Sequence, residues 1–331
     1  MNILAFESSC DETAVAVVKD GREVLSNEVI SQIDIHTLYG GVVPEIASRA
    51  HVEAISKLTR RALEPVGLEN IDAIAVTYAP GLIGALLVGV SFAKSLAYST
   101  GLPLIPVHHI KGHVAGTYLT HKDLEPPFIA LIVSGGHSHI AKVSDYTTYN
   151  VIGRTRDDAV GESFDKIARV IGLGYPGGPK VEQAAKEGTS SIHFPRVHFE
   201  DAPYDFSFSG IKTAVINYVH QKQQLSCPVP VADVAASFTE AVCEVLVENA
   251  VKACIDNKNY KLVLAGGVSA NKTLRQSLKS ACEKNKISLF VPEFCYCGDN
   301  AAMIGAQAYY EFLQNNIALN DLNAYATMSL F

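Results

Sequence analysis

Ile3-Leu4-Ala5-Phe6-Glu7-Ser8-Ser9-Cys10-Asp11-Glu12-Thr13-Ala14-Val15-Ala16-Val17-Val18 has a counterpart in Phe128-Ile129-Ala130-Leu131-Ile132-Val133-Ser134-Gly135-Gly136-His137-Ser138-His139-Ile140-Ala141-Lys142-Val143, and this pairing decides the fold. Each stretch begins with a short apolar run, Ile3 to Phe6 or Phe128 to Val133, that reads as a buried strand. A turn follows, Glu7 to Thr13 or Ser134 to His137, and then a second strand, Ala14 to Val18 or His139 to Val143. Asp20-Gly21 and Asp145-Tyr146 turn the chain again, into Glu23 to Val29 and Tyr149 to Thr155. A strand-turn-strand-turn-strand unit occurring twice, each time ahead of helical periodicity, predicts an α/β chain of two duplicated lobes with a cleft between them. Ile71 to Thr77 and Lys261 to Leu264 add strands that end at Ala79-Pro80-Gly81 and Ala265-Gly266-Gly267. Ligands of open α/β sheets bind beyond the carboxyl ends of the strands, so these turns are the place to look for a site.

The span 157–224 is richer in helix and loop signals and reads as a helical insertion in the second lobe. Its helix from Asp158 carries Phe164, Ile167, Ala168 and Ile171 on one stripe, with Asp165 at the edge. A last helix begins near Asp299, with Ala302, Ile304 and Ala306 to pack. The expected division is 1–127 for the first lobe, with a C-terminal helix over 299–327 packing back on it, and 128–298 for the second.

The 331 residues suffice for two domains, and 48% apolar content suits a globular protein. The longest apolar stretch, Leu82 to Val90, falls short of the ~20 residues of a membrane helix. Glu7, Asp11 and Glu12 stand where a secretion signal needs a basic start and apolar centre, so a cytoplasmic location is expected. Seven cysteines without framework spacing fit a reducing compartment. Cys295 and Cys297 resemble half of a metal site, but no second close pair completes it. A net charge of -7 argues against coating nucleic acid by bulk electrostatics. Local basic runs, Lys57, Arg60 and Arg61, or Arg154, Arg156, Lys166 and Arg169, read as docking patches or as solvated helix faces.

The residues that point to chemistry centre on Val107-His108-His109-Ile110-Lys111-Gly112-His113. Histidines four apart on a helix project from one face and can close on one metal ion. Ile110, Lys111 and Gly112 lie between them, so the glutamate base of a His-Glu-x-x-His peptidase is absent. Ser134-Gly135-Gly136-His137-Ser138 reads either as a cradle for a phosphate or carboxylate or as a hairpin turn needing positive φ. Gly266 to Asn271 follows a strand and opens a helix, and Asn271 there either reads a nucleoside or caps the helix. Tyr175-Pro176-Gly177-Gly178-Pro179 is a rigid loop, and Glu182 beyond it suits a ribose hydroxyl or a solvated helix start. Asp299 reads as a helix N-cap or as a ligand.

These segments, with Glu7 to Thr13, Gly40-Gly41-Val42-Val43-Pro44-Glu45, Gly161-Glu162-Ser163-Phe164-Asp165-Lys166, Asp205-Phe206-Ser207-Phe208-Ser209-Gly210 and Gly298-Asp299-Asn300, closely resemble the tRNA N6-adenosine threonylcarbamoyltransferase family of bacterial TsaD type. The likeness runs in order from Phe6 to Met303, with Ser138 and Ser163 where Thr and Ala are common. It implies the two-lobed actin-like, ribonuclease H-like fold shared with Hsp70 and sugar kinases. It also implies transfer of threonylcarbamoyl from threonylcarbamoyl-AMP to N6 of the adenosine 3′ to the anticodon, in tRNAs reading codons that begin with A, with AMP released. By motif position, His109, His113 and Asp299 would hold one divalent metal ion, iron(II) or zinc(II). Val133, Ser134, Gly135, Gly136 and His137 would meet the acyl-phosphate, and Asp165, Gly178, Asn271 and Glu182 the nucleoside. His137 is a candidate for the N6 proton. The implied partners are tRNA, a TsaB-like paralogous subunit, a TsaE-like ATPase and a separate synthase of the adenylate. The alternatives are a metal-dependent O-carbamoyltransferase, which keeps the histidines, an actin-like small-molecule kinase, which leaves them unexplained, and a non-catalytic scaffold subunit.

Overall fold

The computed structural model describes residues 1–319 and 321–330, and the chain divides into two compact units. The first comprises Met1–Pro126, Ser144–Tyr149 and the chain from Pro292 onward; the second comprises Pro127–Val143 and Asn150–Val291. The return to the first unit thus comes at Pro292, ahead of the expected Asp299.

In the first unit, β1 (Asn2–Glu7), β2 (Glu12–Lys19) and β3 (Glu23–Ser31) form the predicted antiparallel meander. Helices α1 (Ile33–Thr37) and α2 (Pro44–Leu63) lead on to β4 (Ala73–Ala79), α3 (Ile83–Thr100), β5 (Leu104–His108) and α4 (His109–Thr120). The sheet order is β3-β2-β1-β4-β5, with β4 parallel to β1 and β5 parallel to β4.

In the second unit, β6 (Phe128–Val133), β7 (Ser138–Asp145) and β8 (Thr148–Arg154) repeat the meander, the β7–β8 turn grouping with the first unit. There follow α5 (Val160–Val170), α6 (Gly177–Ala185), α7 (Ser209–Gln224), α8 (Val231–Asp256), β9 (Lys261–Ala265), α9 (Lys272–Asn285) and β10 (Ser288–Phe290). The order β10-β9-β6-β7-β8 is that of the first sheet taken element for element, with β9 parallel to β6. Two sheets of one topology bear out the duplicated α/β lobe.

The final helix α10 (Ala301–Leu313) belongs to the first unit. It is shorter than the expected 299–327. Asn300 rather than Asp299 is its N-cap, accepting a hydrogen bond from the Met303 amide at 3.0 Å. At the other end Gln314 leaves helical geometry, and among the described residues beyond it Ala318 forms an isolated antiparallel bridge with Leu104.

Apolar burial positions these elements. In β6 all six residues are buried, and in β1 every residue from Ile3 on. The stripe of α5 is likewise inside, with Phe164 against Phe238 of α8, ring centroids 5.1 Å apart. Burying each such side chain contributes about 1.5–3 kcal/mol relative to exposure. Helix α3 is the one described helix long and apolar enough to cross a membrane by composition; its Ala85, Leu86, Val90 and Ala93 are buried in the first unit. Helix α2 is amphipathic, with Ala47, Ala54, Ile55, Leu58 and Ala62 turned inward, so most of its apolar residues belong to the intramolecular core.

Candidate functional site

His109 and His113 occupy the first and second turns of α4, which starts at the carboxyl end of β5. Their rings lie 4.6 Å apart between centroids, on one face as the spacing requires. Asp299 reaches them from just ahead of α10, its Oδ1 3.2 Å from His113 Nε2 and 3.5 Å from His109 Nε2. One donor atom from each of the three falls within 4.8 Å of the others. Because Asn300 caps the helix, the Asp299 carboxylate is left to face the imidazoles.

Glu7 stands behind His109. Its Oε2 is 2.9 Å from His109 Nδ1 and accepts from the Thr77 hydroxyl at 2.6 Å, while Oε1 accepts from the Ser9 amide at 2.5 Å. Ser9 Oγ lies 3.2 Å from the same His109 Nδ1. A carboxylate only accepts, so Nδ1 carries a proton, and Nε2, which faces Asp299, is the atom that would give its lone pair to an ion once its own proton is lost. Burial alone would raise the Glu7 carboxyl, but the charge and hydrogen bond of His109 outweigh it and hold Glu7 below the usual carboxylate range. For His109, burial works against protonation, yet the facing Glu7 and Asp299 carboxylates push the ring up to about 9. Glu12 is driven to about 9 by burial and by the charges of Asp299 and Asp11. Both upward shifts report the negative potential of the Asp299 carboxylate and its neighbours, which a cation there would offset. Two imidazoles, a carboxylate and a carboxylate behind one ring fit a divalent ion whose remaining positions stay open to other ligands. In the sequence Glu7 stood out only as part of a motif; its role follows from the packing of β1 beside β4.

The other expected residues lie in the second unit. Ser134 to His137 link β6 to β7, closed by the Ser134 amide donating to the His137 carbonyl at 2.8 Å. Neither Gly135 nor Gly136 has positive φ, so the hairpin explanation for the glycine pair does not hold. Both are exposed, with open space where a Cβ would stand. The first amides of α5 meet the turn, Gly161 N donating to Ser134 O and Glu162 N to Gly135 O, each at 3.2 Å. Gly266, at the end of parallel β9, has φ +92°, and a Cβ there would come within 2.3 Å of the Val133 carbonyl oxygen. Only glycine lets the two strand-end turns approach so closely.

Asn271 caps α9, its Oδ1 accepting from Leu274 N at 2.9 Å. Glu182 is not a solvated helix-start carboxylate: its Oε1 accepts from the Lys272 amide at 2.8 Å, tying α6 to the start of α9. Asp165 accepts from Gly177 N at 2.6 Å and so fixes the loop before α6, where Gly178 faces open space. The candidate basic run is largely neutralised, with Arg156 paired to Asp201 and Asp205 and Lys166 to Asp158 and Glu162. Cys295 and Cys297 form no disulfide; Cys295 is exposed and Cys297 buried.

Known proteins place this architecture. Two solved structures share the fold: HypF of T. kodakarensis, with a TM-score of 0.65 at 16% identity over 97% of this chain and 49% of that one, and full-length HypF in its phosphate- and nucleotide-bound form, at 0.63 and 15% over 99% and 47%. At that identity the likeness speaks for the fold alone, and it agrees with the actin-like class. The relatives named tRNA N6-adenosine threonylcarbamoyltransferase are far nearer. One from Clostridium perfringens is 56% identical over 99% of this chain and 98% of its own, and one from Clostridium botulinum is 54% identical over 100% and 98%. The TsaD profile, tRNA N6-adenosine threonylcarbamoyltransferase, matches residues 23–306, and the chain belongs to that family.

Proposed function

We propose that this protein transfers the threonylcarbamoyl group from threonylcarbamoyl-AMP to N6 of the adenosine 3′ to the anticodon, in tRNAs that read codons beginning with A. The observation that carries this reading is the convergence of His109, His113 and Asp299 in a chain similar over its full length to transferases of that name. The N6 lone pair is delocalised into the purine, so it is a weak nucleophile, whereas the acyl adenylate is already activated. Attack forms the bond from N6 to the carbamoyl carbon and breaks that carbon's bond to the phosphate oxygen, and AMP leaves as N6 loses a proton. Most of the catalysis is therefore positioning and charge stabilisation.

His109, His113 and Asp299 hold the ion, which we assign as iron(II) with zinc(II) as competitor, since this donor set accepts both. When bound, it supplies Lewis-acid stabilisation of charge on donor oxygens. Glu7, by accepting from Nδ1, would leave Nε2 as the His109 atom that meets the ion. The exposed amides of Gly135 and Gly136, with Val133, Ser134 and His137, receive the acyl-phosphate part. We assign the nucleoside to Asp165, Gly178, Glu182 and Asn271, of which Asp165, Glu182 and Asn271 also order their own loops by hydrogen bonds to backbone amides. His137, at the end of the glycine turn, is the group we assign to the N6 proton.

A chain of net charge -7 has little long-range attraction for tRNA. We assign the missing affinity to a TsaB-like paralogous subunit and a TsaE-like ATPase, with a separate synthase supplying the adenylate in the cytoplasm. The docking face we assign to α2 and α3, where Val52 is 63% exposed beside a groove of about 510 Å³ lined by Ile55, Leu87, Val88 and Phe92. The test is mass spectrometry of nucleosides from tRNA incubated with the chain, threonylcarbamoyl-AMP and these partners. Threonylcarbamoyladenosine at the position 3′ to the anticodon is expected, with weak tRNA binding and little turnover by the chain alone. A product on a small hydroxylated acceptor instead of tRNA, or sustained turnover without partners, would overturn the corresponding part.

A further inference from the structure

The turn after β1 carries Ser9 to His109, and it is held from behind. Leu82 N donates to Ser9 O at 2.8 Å, and a Cβ on Gly81 would come within 2.6 Å of that same oxygen, so the Ala79–Leu82 loop lies directly on Ser9. Ser8 Oγ donates to Ala85 O at 2.9 Å, fixing the turn to the start of α3 as well. The loop is in turn held by a segment far away in sequence. Tyr325 N donates to Tyr78 O at 2.9 Å, Gly81 N donates to Ala326 O at 3.1 Å, and the Tyr78 and Tyr325 rings meet edge to face at 6.2 Å. Lys94 of α3 donates to Leu322 O at 2.9 Å, and Ala324 is buried in the same apolar cluster as Leu4, Phe6 and Leu86. A continuous set of contacts therefore runs from residues 322–326 through Gly81 and Ser9 to His109 Nδ1.

We propose that residues 322–326 are a brace for the metal centre: by fixing the Tyr78–Leu82 loop they hold Ser9, and through Ser9 the ring plane of His109. Ser9 and the segment are positioning elements, since neither is placed among the three donors. The inference rests on the metal-binding reading of His109, His113 and Asp299. Two hydrogen-bond acceptors on one ring N–H, Glu7 Oε2 and Ser9 Oγ, define the ring plane better than one. Supporting contacts of metal ligands commonly change affinity about 10-fold to 100-fold, and the lower end is expected for a brace acting through an intermediate residue.

The probe is Co²⁺, titrated by its visible absorption into the full chain and its variants. Ala324→Asp places a charge in the apolar cluster and should release the segment; Tyr325→Pro removes the amide given to Tyr78 and is a second route if the first variant folds poorly. Each should weaken Co²⁺ binding about tenfold and alter the shape of the absorption band. Ser9→Ala should do the same, and combining it with Ala324→Asp should add no further loss, because both break one line of contacts. Leu58→Val, in the same cluster but off that line, should lower the melting temperature without changing Co²⁺ affinity. Wild-type affinity in Ala324→Asp and Tyr325→Pro, full additivity in the double variant, or an equal loss in Leu58→Val would overturn the brace. Co²⁺ uptake that survives His113→Ala would overturn the metal reading itself, and the brace with it.

Discussion

Replacing Glu7 by Gln preserves the volume of the side chain and removes one charge, which isolates its electrostatic role. Glu7 accepts three hydrogen bonds, from the Ser9 amide on Oε1 and from Thr77 and His109 on Oε2. A carboxamide has one accepting end and one donating end. If its oxygen faces His109, its NH₂ points at the Ser9 N–H and leaves two buried donors opposed. If the NH₂ faces His109, Nδ1 must become an acceptor, the proton moves to Nε2, and the lone pair directed toward Asp299 is lost. The first arrangement forfeits a buried hydrogen bond, which costs about 1–3 kcal/mol, and the second abolishes a ligand. Even without a flip, exchanging a charged acceptor for a neutral one weakens that hydrogen bond roughly twofold. We therefore expect Glu7→Gln to weaken metal binding by about 10-fold to 100-fold, or about 1.4–2.8 kcal/mol. Titration with Co²⁺ or Zn²⁺ at neutral pH reads this directly, alongside circular dichroism to verify the fold. A folded Glu7→Gln protein with wild-type metal affinity would refute the argument that Glu7 sets the His109 tautomer.

His113→Ala should abolish metal binding and transfer while leaving circular dichroism intact, because an open site contributes less to folding than a closed structural one; a variant that unfolds would contradict this. Asn271→Ala removes the N-cap of α9, so about 1 kcal/mol of stability should be lost in urea titrations. Its affinity for a non-hydrolysable adenylate should fall more than its affinity for Co²⁺, and equal losses would indicate a merely structural residue. Asp158 is raised by desolvation, but hydrogen bonds from Lys166 and Lys212 more than reverse this and hold its carboxyl below the ordinary value. A depressed folded value contributes stability above the unfolded pKa that is lost as pH falls through the folded one. Asp158→Asn should therefore destabilise the protein at pH 7, with the difference from wild type shrinking under acid; a difference independent of pH would remove the ion pairs from the account. Gly266→Ala should express poorly or melt well below wild type, since its Cβ meets the Val133 carbonyl oxygen; normal stability would show that the two turns can separate.

What was legible in the sequence depended on whether a residue's partners were local. The meanders were readable because a strand facing helices on both sides is an uninterrupted apolar run, as in Phe128 to Val133. The shared face of His109 and His113 followed from the helical period alone. Asp299 is ruled out as the cap by the next residue: both Asp299 and Asn300 are good caps, and only the backbone at the start of α10 decides that Asn300 takes the Met303 amide. The extent of that helix was overread: beyond Leu313 the residues Ala318, Leu322 and Ala324 pack against the apolar core of the first unit without helical geometry, and distant partners, not local sequence, decide that. Glu182 shows the same limit, since its partner, the Lys272 amide, is ninety positions away.

Glu7 carries the argument furthest. A carboxylate at the end of a buried strand is an expensive feature, and the nearby sequence supplies only the Ser9 amide as a donor to it. Its explanation is assembled from three separate segments, the Ser9 turn, Thr77 at the end of β4, and His109 at the start of α4. In a sheet with order β3-β2-β1-β4-β5 the carboxyl ends of β1, β4 and β5 are neighbours, and these are the strands that deliver Glu7, Thr77 and His109. The topology therefore does more than supply a platform. It makes one charged residue affordable in an apolar strand by placing a hydroxyl donor and an imidazole N–H on the adjacent strand ends, and in doing so it orients the ring that faces Asp299.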